Sequence, residues 1–404
     1  MIKKIIFVPL ILMICIGCVA ESETYPLLFK SSKRIVEPYG FCSHINRIGD
    51  QWEFNGKEKD LLMMRETGAD FVRTDFDWGY CQQDKDGPMS FSHHDKMMQA
   101  VDSQNIQMLG ILSSPQPYDY DKWKYYVGRT VYHFKSNVRY WEVINEADRW
   151  HLRYPNYKPT DYIRIIRDAY PLIKKNNRKA QVLFTSITDI KGDFFEEVLN
   201  AGVTDCFDIM NFHFYVNNHT EPEYLFKYFK LCQEVLEKHK IRKPVWFTET
   251  GCTTAPEYAD EETQARRLPR VFLISFACGI EKVFWYKSRA AERSDHFEEH
   301  FGLCHKDYTP KPAFYAYKAL TRICPSKSTR PRIQRKGNVY IAKWKRPDGK
   351  KVTALWTSKG IEKVELSTAP QKIFDYLGNE VDVLNHTIAI SPAIHYCLGD
   401  IAVL

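Results

Sequence analysis

From residue 39 onward the chain alternates short, nearly continuous apolar runs with longer stretches in which apolar residues recur every three or four positions. The runs fall at 39–45, 70–78, 107–113, 138–145, 181–187, 207–215, 244–250 and 282–287. Between them the helical period predicts helices, most clearly over 57–67, 95–104, 161–175, 224–240 and 261–278, with 312–323 closing the series. Strands apolar on both faces belong to a parallel sheet covered by helices. Eight strand–helix repeats predict an α/β fold, the (β/α)8 TIM barrel. A doubly wound open sheet is the rival, but it calls for a Gly-x-Gly-x-x-Gly turn after the first strand, and the chain has none.

After about residue 326 the period drops to two. Runs at 339–344, 352–356, 363–366, 372–376 and 387–390 are separated by turns such as Pro347-Asp348-Gly349 and Leu377-Gly378-Asn379. They predict a small C-terminal antiparallel β-sandwich-like domain. The chain therefore divides into a leader (1–18), a tether (19–36) whose segment 27–36 could lend the β-domain an extra strand, a barrel (37–325) and an accessory β-domain (326–404).

Composition alters this picture little. Apolar residues make up 44% of the 404, enough for one large core. The net charge of +7 is spread rather than blocked. It reads as solvated surface more simply than as a preference for an acidic glycan, and it leaves no nucleic-acid footprint. Aromatics reach 14%, and Trp78, Tyr80, Trp150, Trp285 and Tyr286 fall at or just past strand ends, where flat rings suit sugars.

At the N-terminus, Lys3 and Lys4 precede the apolar run 5–16, which is too short for a membrane helix and suits a signal peptide. The run ends in Cys15-Ile16-Gly17-Cys18, which resembles a bacterial lipoprotein box. That resemblance implies cleavage before Cys18 and lipid on it, so the membrane would be met only through this anchor. Val19 in the next position resembles lipoproteins sorted to the outer membrane. Of the eleven cysteines, those beyond Cys15 and Cys18 are odd in number and contain no Cys-x-x-Cys pair, so neither a fully paired framework nor a zinc site is expected. Cys42, Cys252 and Cys278 lie in apolar runs and read as buried thiols. Disulfides among Cys81, Cys206, Cys232, Cys304, Cys324 and Cys397 remain open, because the envelope is oxidising.

The candidate chemistry sits in two runs, Trp141-Glu142-Val143-Ile144-Asn145-Glu146 and Val245-Trp246-Phe247-Thr248-Glu249-Thr250-Gly251. Each is an apolar strand ending in a carboxylate, and a buried carboxylate is costly unless something pairs with it or uses it. Glu146 ends the fourth predicted strand and Glu249 the seventh, and barrel active sites lie at the C-terminal ends of strands. Two such carboxylates suffice to cleave a glycosidic bond, one giving a proton to the leaving oxygen and the other attacking the sugar or activating water. Glu142 shares parity with Glu146 but lies deeper, which suits a structural pair. Arg73, on the second strand, needs a carboxylate, either near Glu249 or in Asp75 or Asp77. His213 and Tyr215 share parity at the end of the sixth strand.

Asn-Glu after one strand and Thr-Glu-x-Gly after another resemble the clan A retaining glycoside hydrolases. Trp-Glu-x-x-Asn-Glu is most like family 39, with family 5 next. The clan places its acid/base on strand four and its nucleophile on strand seven, as the counting of apolar runs does here. The resemblance implies Glu146 as acid/base, Glu249 as nucleophile, Asn145 on the sugar's 2-hydroxyl, and Arg73 and Tyr215 as partners of the nucleophile. His213 would face the pocket and Trp285 would form a floor under the sugar. His44, Asp75 and Trp78 are further substrate-binding candidates. The reaction implied is cleavage of an equatorial linkage in a poly- or oligosaccharide by double displacement, with no cofactor and no metal. A non-catalytic glycan-binding lipoprotein and a transglycosylase using the same carboxylates are the competing readings.

Overall fold

The computed structural model describes residues 22–47, 57–82, 87–113, 119–216, 220–382 and 386–404. The leader and Cys18 lie outside them. One strand, β1 (Ser22–Thr24), precedes the barrel. The barrel strands are β2 (Tyr39–Cys42), β3 (Phe71–Phe76), β4 (Gln107–Leu112), β5 (Tyr140–Val143), β6 (Gln181–Leu183), β7 (Met210–His213), β8 (Val245–Thr250) and β9 (Val283–Tyr286). They are hydrogen-bonded in the order β6-β5-β4-β3-β2-β9-β8-β7, all parallel. Parallel bridges Leu183↔Ile209 and Ile187↔Phe212 close the ring. The (β/α)8 barrel is as expected.

Its outer layer is α1 (Lys57–Glu66), α2 (Trp78–Cys81), α3 (Ser92–Ser103), α4 (Tyr120–His133), α5 (Pro159–Asn176), α6 (Asp193–Asn200), α7 (Tyr224–Lys238), α8 (Glu261–Cys278) and α9 (Pro312–Ile323). In α5 the buried set Tyr162, Ile165, Ile166, Ala169 and Ile173 recurs at helical spacing and forms the stripe that docks on the strands. Inside the barrel, Phe71, Leu109, Leu183, Ile209, Trp246 and Phe284 form a plug beneath the site. Gly40 belongs to the same packing, because a Cβ there would lie 2.4 Å from the Phe284 ring.

The C-terminal strands are β10 (Arg332–Lys336), β11 (Val339–Lys345), β12 (Lys351–Thr357), β13 (Glu362–Glu365), β14 (Ile373–Phe374), β15 (Glu380–Val381), β16 (Thr387–Ile390) and β17 (His395–Leu398). One antiparallel sheet runs β1-β10-β11-β12-β17-β14-β15, and β13 pairs with β16. Alternation along β11 sends Val339 and Ile341 into a small core of this unit, while Tyr340, Ala342 and Trp344 join the barrel's core. Both faces of the sheet are thus buried, which lets so short a unit stay folded.

The N-terminal segment does lend a strand, but it is Ser22–Thr24 rather than 27–36. Leu28 and Phe29 instead donate their amides to the Cys278 carbonyl at the end of α8, and the Phe29 ring packs edge-on against Phe229 of α7. An apolar pair next to an open helix end is better satisfied there than on a sheet edge. All nine cysteines among the described residues are free, eight of them buried.

Candidate active site

The chain places Glu146 by leaving β5 abruptly. Ile144 and Glu146 both adopt left-handed backbone, with φ of 66° and 46°. Such a conformation is unfavourable for a β-branched residue and persists only where the surroundings enforce it. Here the segment after β6 does so: Thr185 Oγ1 donates to the Ile144 carbonyl (2.9 Å) and accepts the Ala147 amide (3.0 Å), while Ser186 Oγ accepts the Glu146 amide (3.0 Å). Glu249 is aimed by irregular register. His213 pairs with Glu249, and shifts between Phe212 and His213 and between Phe247 and Thr250 break the simple alternation of β8. Such bulges re-aim side chains beside active sites.

A carboxylate oxygen of Glu146, one of Glu249 and a ring nitrogen of His213 all lie within 4.8 Å of one another. The surroundings of the two acids differ. Glu249 receives the Arg73 guanidinium (Nη1 to Oε2, 3.0 Å), the Tyr215 hydroxyl and the Cys42 thiol (3.4 Å). Burial, with Glu249 beside it, pushes the Cys42 thiol well up, so it acts as a donor. Three donors around one carboxylate suit an anion. Glu146 lies against His213 Nδ1 (2.9 Å), and its burial raises its carboxyl pKa. Burial pushes His213 down to about 4, so the imidazole is neutral near pH 7. Thr248 Oγ1 donates to Asn211 Oδ1 (2.6 Å) and therefore accepts from His213 Nε2 (3.0 Å). Nδ1 is then the bare nitrogen, and it accepts the proton of a neutral Glu146.

Arg73 is the hub. Besides Glu249 it grips Glu142 with two bonds of 2.8 Å and reaches Asn145 Oδ1 (2.6 Å) and Cys42 Sγ (3.1 Å). Glu142 is therefore the structural partner, and Asp75 and Asp77 are not. Arg73 and Glu142 are 1% and 0% exposed, so removing the arginine would strand a buried charge at a cost of about 3–5 kcal/mol.

Two lobes of about 600 and 560 Å³ open over these groups and share His44, Arg47, Asn145, Glu146, Arg149 and Glu249. His44 faces the cleft with its Nε2 3.2 Å from the Tyr286 hydroxyl, and Asp75 lines the first lobe. Two expected residues do not take their places. Trp285 is fully buried and stacks on Phe272 of α8, because Phe284 fills the barrel interior and alternation turns Trp285 outward. Tyr286 is the residue of β9 that lines the cleft. Trp78 opens α2 and stacks on Tyr126 of α4, with its indole N–H on Gln82, so it belongs to the wall's packing. The sequence reading took Cys42 as a small hydrophobe and passed over Thr248, Arg149 and Lys287.

No protein-family model matches the chain, and no curated protein matches it in sequence. Solved structures do. A family 39 glycoside hydrolase from Bacteroides cellulosilyticus WH2 superposes with a TM-score of 0.74 at 20% identity, over 92% of this chain and 82% of that one. A glucosidase from Croceicoccus marinus gives 0.66 at 12% identity over 96% and 100% of the two chains. A monomeric β-xylosidase from Caulobacter crescentus CB15 gives 0.65 at 14% over 92% and 99%. The likeness covers barrel and β-domain together. The fold is that of the family 39 glycoside hydrolases.

Proposed function

We propose that the protein is a retaining glycoside hydrolase, cleaving an equatorial glycosidic bond by double displacement. The observation that carries this is the carboxylate pair: oxygens of Glu146 and Glu249 within 4.8 Å, where retention requires about 5–5.5 Å between carboxyl groups and inversion about 6.5–9.5 Å. The structural neighbours are named as glycosidases, which supports the reaction class. Glu249 attacks the anomeric carbon as Glu146 passes its proton to the departing oxygen. The resulting glycosyl ester on Glu249 is opened by water, whose proton Glu146 takes back. Asn145, held by Arg73 and Ser186, meets the sugar's 2-hydroxyl. A transglycosylase would use the same groups with a sugar as acceptor, and product analysis separates the two.

Glu249→Ala should lose turnover of every glycoside. Glu146→Ala should lose about 10²–10⁴-fold on poor leaving groups yet spare activated aryl glycosides, and azide should rescue it to a glycosyl azide of retained configuration. Equal, unrescued loss in both variants on activated substrates would remove these roles.

We also infer a lipid anchor at Cys18 in the outer membrane. It is supported by the leader's pattern of Lys3 and Lys4, the apolar run 5–16 and Cys15-Ile16-Gly17-Cys18. Cys18→Ala should move the protein from the membrane fraction to the soluble one with its turnover intact. Unchanged fractionation would reject the anchor.

A further inference from the structure

The basic residues that look scattered in the sequence gather on one wall of the cleft. Arg47 follows β2 and Lys287 follows β9, and these strands are neighbours, with Cys42 opposite Tyr286. Between the two cations lies His44, which burial, Arg47 and Lys287 together keep neutral. Lys287 is 9% exposed and lines the 560 Å³ lobe that also holds Glu146 and Glu249. Among the described residues its ammonium makes no hydrogen bond and no ion pair; its contact is the face of Tyr286, 5.5 Å from the ring centroid. Of the acids nearby, Glu299 is engaged by the Arg293 guanidinium at 2.9 Å and by the Ser294 amide at 3.0 Å, and Glu298, exposed and lining the same lobe, makes no ion pair with Lys287. Burial, then Arg47, pushes the Lys287 ammonium down to about 8, and Glu299 and Glu298 offset this only in part. A buried ammonium is costly unless it is paired. Methionine would fill the same space at no such cost, so the position points to an anion that arrives with the ligand.

We propose that the sugar bound against Glu249 carries an anionic substituent, a carboxylate or a sulfate ester, received by Lys287 with Arg47 beside it. The glycosidase reading places the sugar in this lobe, while the anion site rests on Lys287 itself. The lysine is a compact point charge, suited to either group. A neutral sugar of the same ring would leave the ammonium unpaired and bind less well.

The test uses matched aryl glycosides that differ only at carbon 6: β-glucuronide, β-glucoside and 6-sulfo-β-glucoside, with the corresponding galacto set. Wild type, Lys287→Met and Lys287→Arg are compared, and the free sugars are titrated calorimetrically against the same proteins. The expected result is a preference for the anionic member on the order of tenfold or more in kcat/KM. It should collapse through KM in Lys287→Met and return in part in Lys287→Arg. A response to carboxylate alone identifies a uronic acid, and a response to sulfate alone a sulfated sugar. Equal kcat/KM for anionic and neutral members, or equal loss of both in Lys287→Met, overturns the proposal and leaves the hydrolase reading standing. If nothing is turned over, calorimetry decides. Anion-selective binding that vanishes in Lys287→Met retires the hydrolase and keeps the site, and its absence overturns the site.

Discussion

Asn211, Thr248, His213 and Glu146 form a line of hydrogen bonds that starts from the Thr248 hydroxyl on Asn211 Oδ1. The direction of that line decides where the acid keeps its proton. With the Thr248 hydroxyl given to Asn211, the His213 Nε2–H points at Thr248 and the bare Nδ1 faces Glu146. Thr248→Val removes the acceptor, so the imidazole should move its hydrogen to Nδ1 and donate to Glu146. A donor stabilises the charged form and lowers a carboxyl's pKa. The basic limb of the pH–rate profile, set by loss of the Glu146 proton, should therefore shift to lower pH, with the acidic limb less affected. An unmoved or raised basic limb would show the opposite tautomer.

At the scale of elements, β9 shows what one position of register is worth. Phe284 plugs the barrel, Trp285 packs outward on α8 and Tyr286 lines the cleft. Trp285→Ala should thus cost about 3–5 kcal/mol in denaturant unfolding with KM little changed, while Tyr286→Phe should keep stability and raise KM through loss of the hydroxyl beside His44. The reverse pattern would return Trp285 to the site. The order and number of barrel strands were legible in the sequence, because continuous apolar runs between helical periods leave few other folds. Glu146, Glu249, His213 and Tyr215 were legible too, each being a polar residue at the end of an apolar run, and Arg73 as a charge inside one. Trp285 was misread because Trp and Tyr side by side look alike until register fixes which faces in. The left-handed turn at Ile144 and the irregular register of β8 come from hydrogen bonds to neighbouring strands, which no local pattern displays. Cys42 was hidden for a related reason, since a thiol in an apolar run shows nothing of the carboxylate across the barrel.

The whole molecule is knitted by α8, which is buried along nearly its full length between the barrel and the β-domain. Its Arg267 and Arg270 hold Glu221 at 2.7 Å each, Arg270 reaches Glu223 at 3.2 Å, and Trp356 of β12 donates to Glu223 at 2.7 Å. Trp344 of β11 donates to the Ile323 carbonyl at the end of α9 (3.2 Å). With one shared core, heating should give a single calorimetric transition, and a chain ending at residue 325 should be insoluble because it bares the outer faces of α8 and α9. Two separable transitions, or a soluble and folded truncated barrel, would show that the units are independent.

Arg73 serves scaffold and chemistry with one guanidinium, and that has a consequence for descent. A duplicated gene that abandons turnover can drop Glu146 or Glu249 in a single step, since Arg73 keeps Glu142 when Glu249 is lost and the direct partner of Glu146 is a neutral histidine. Arg73 and Glu142 have no such exit, because losing either first leaves its partner charged and enclosed. The pair should outlast the activity, so in a diverged copy it records ancestry, whereas the two cleft glutamates record whether the copy still works.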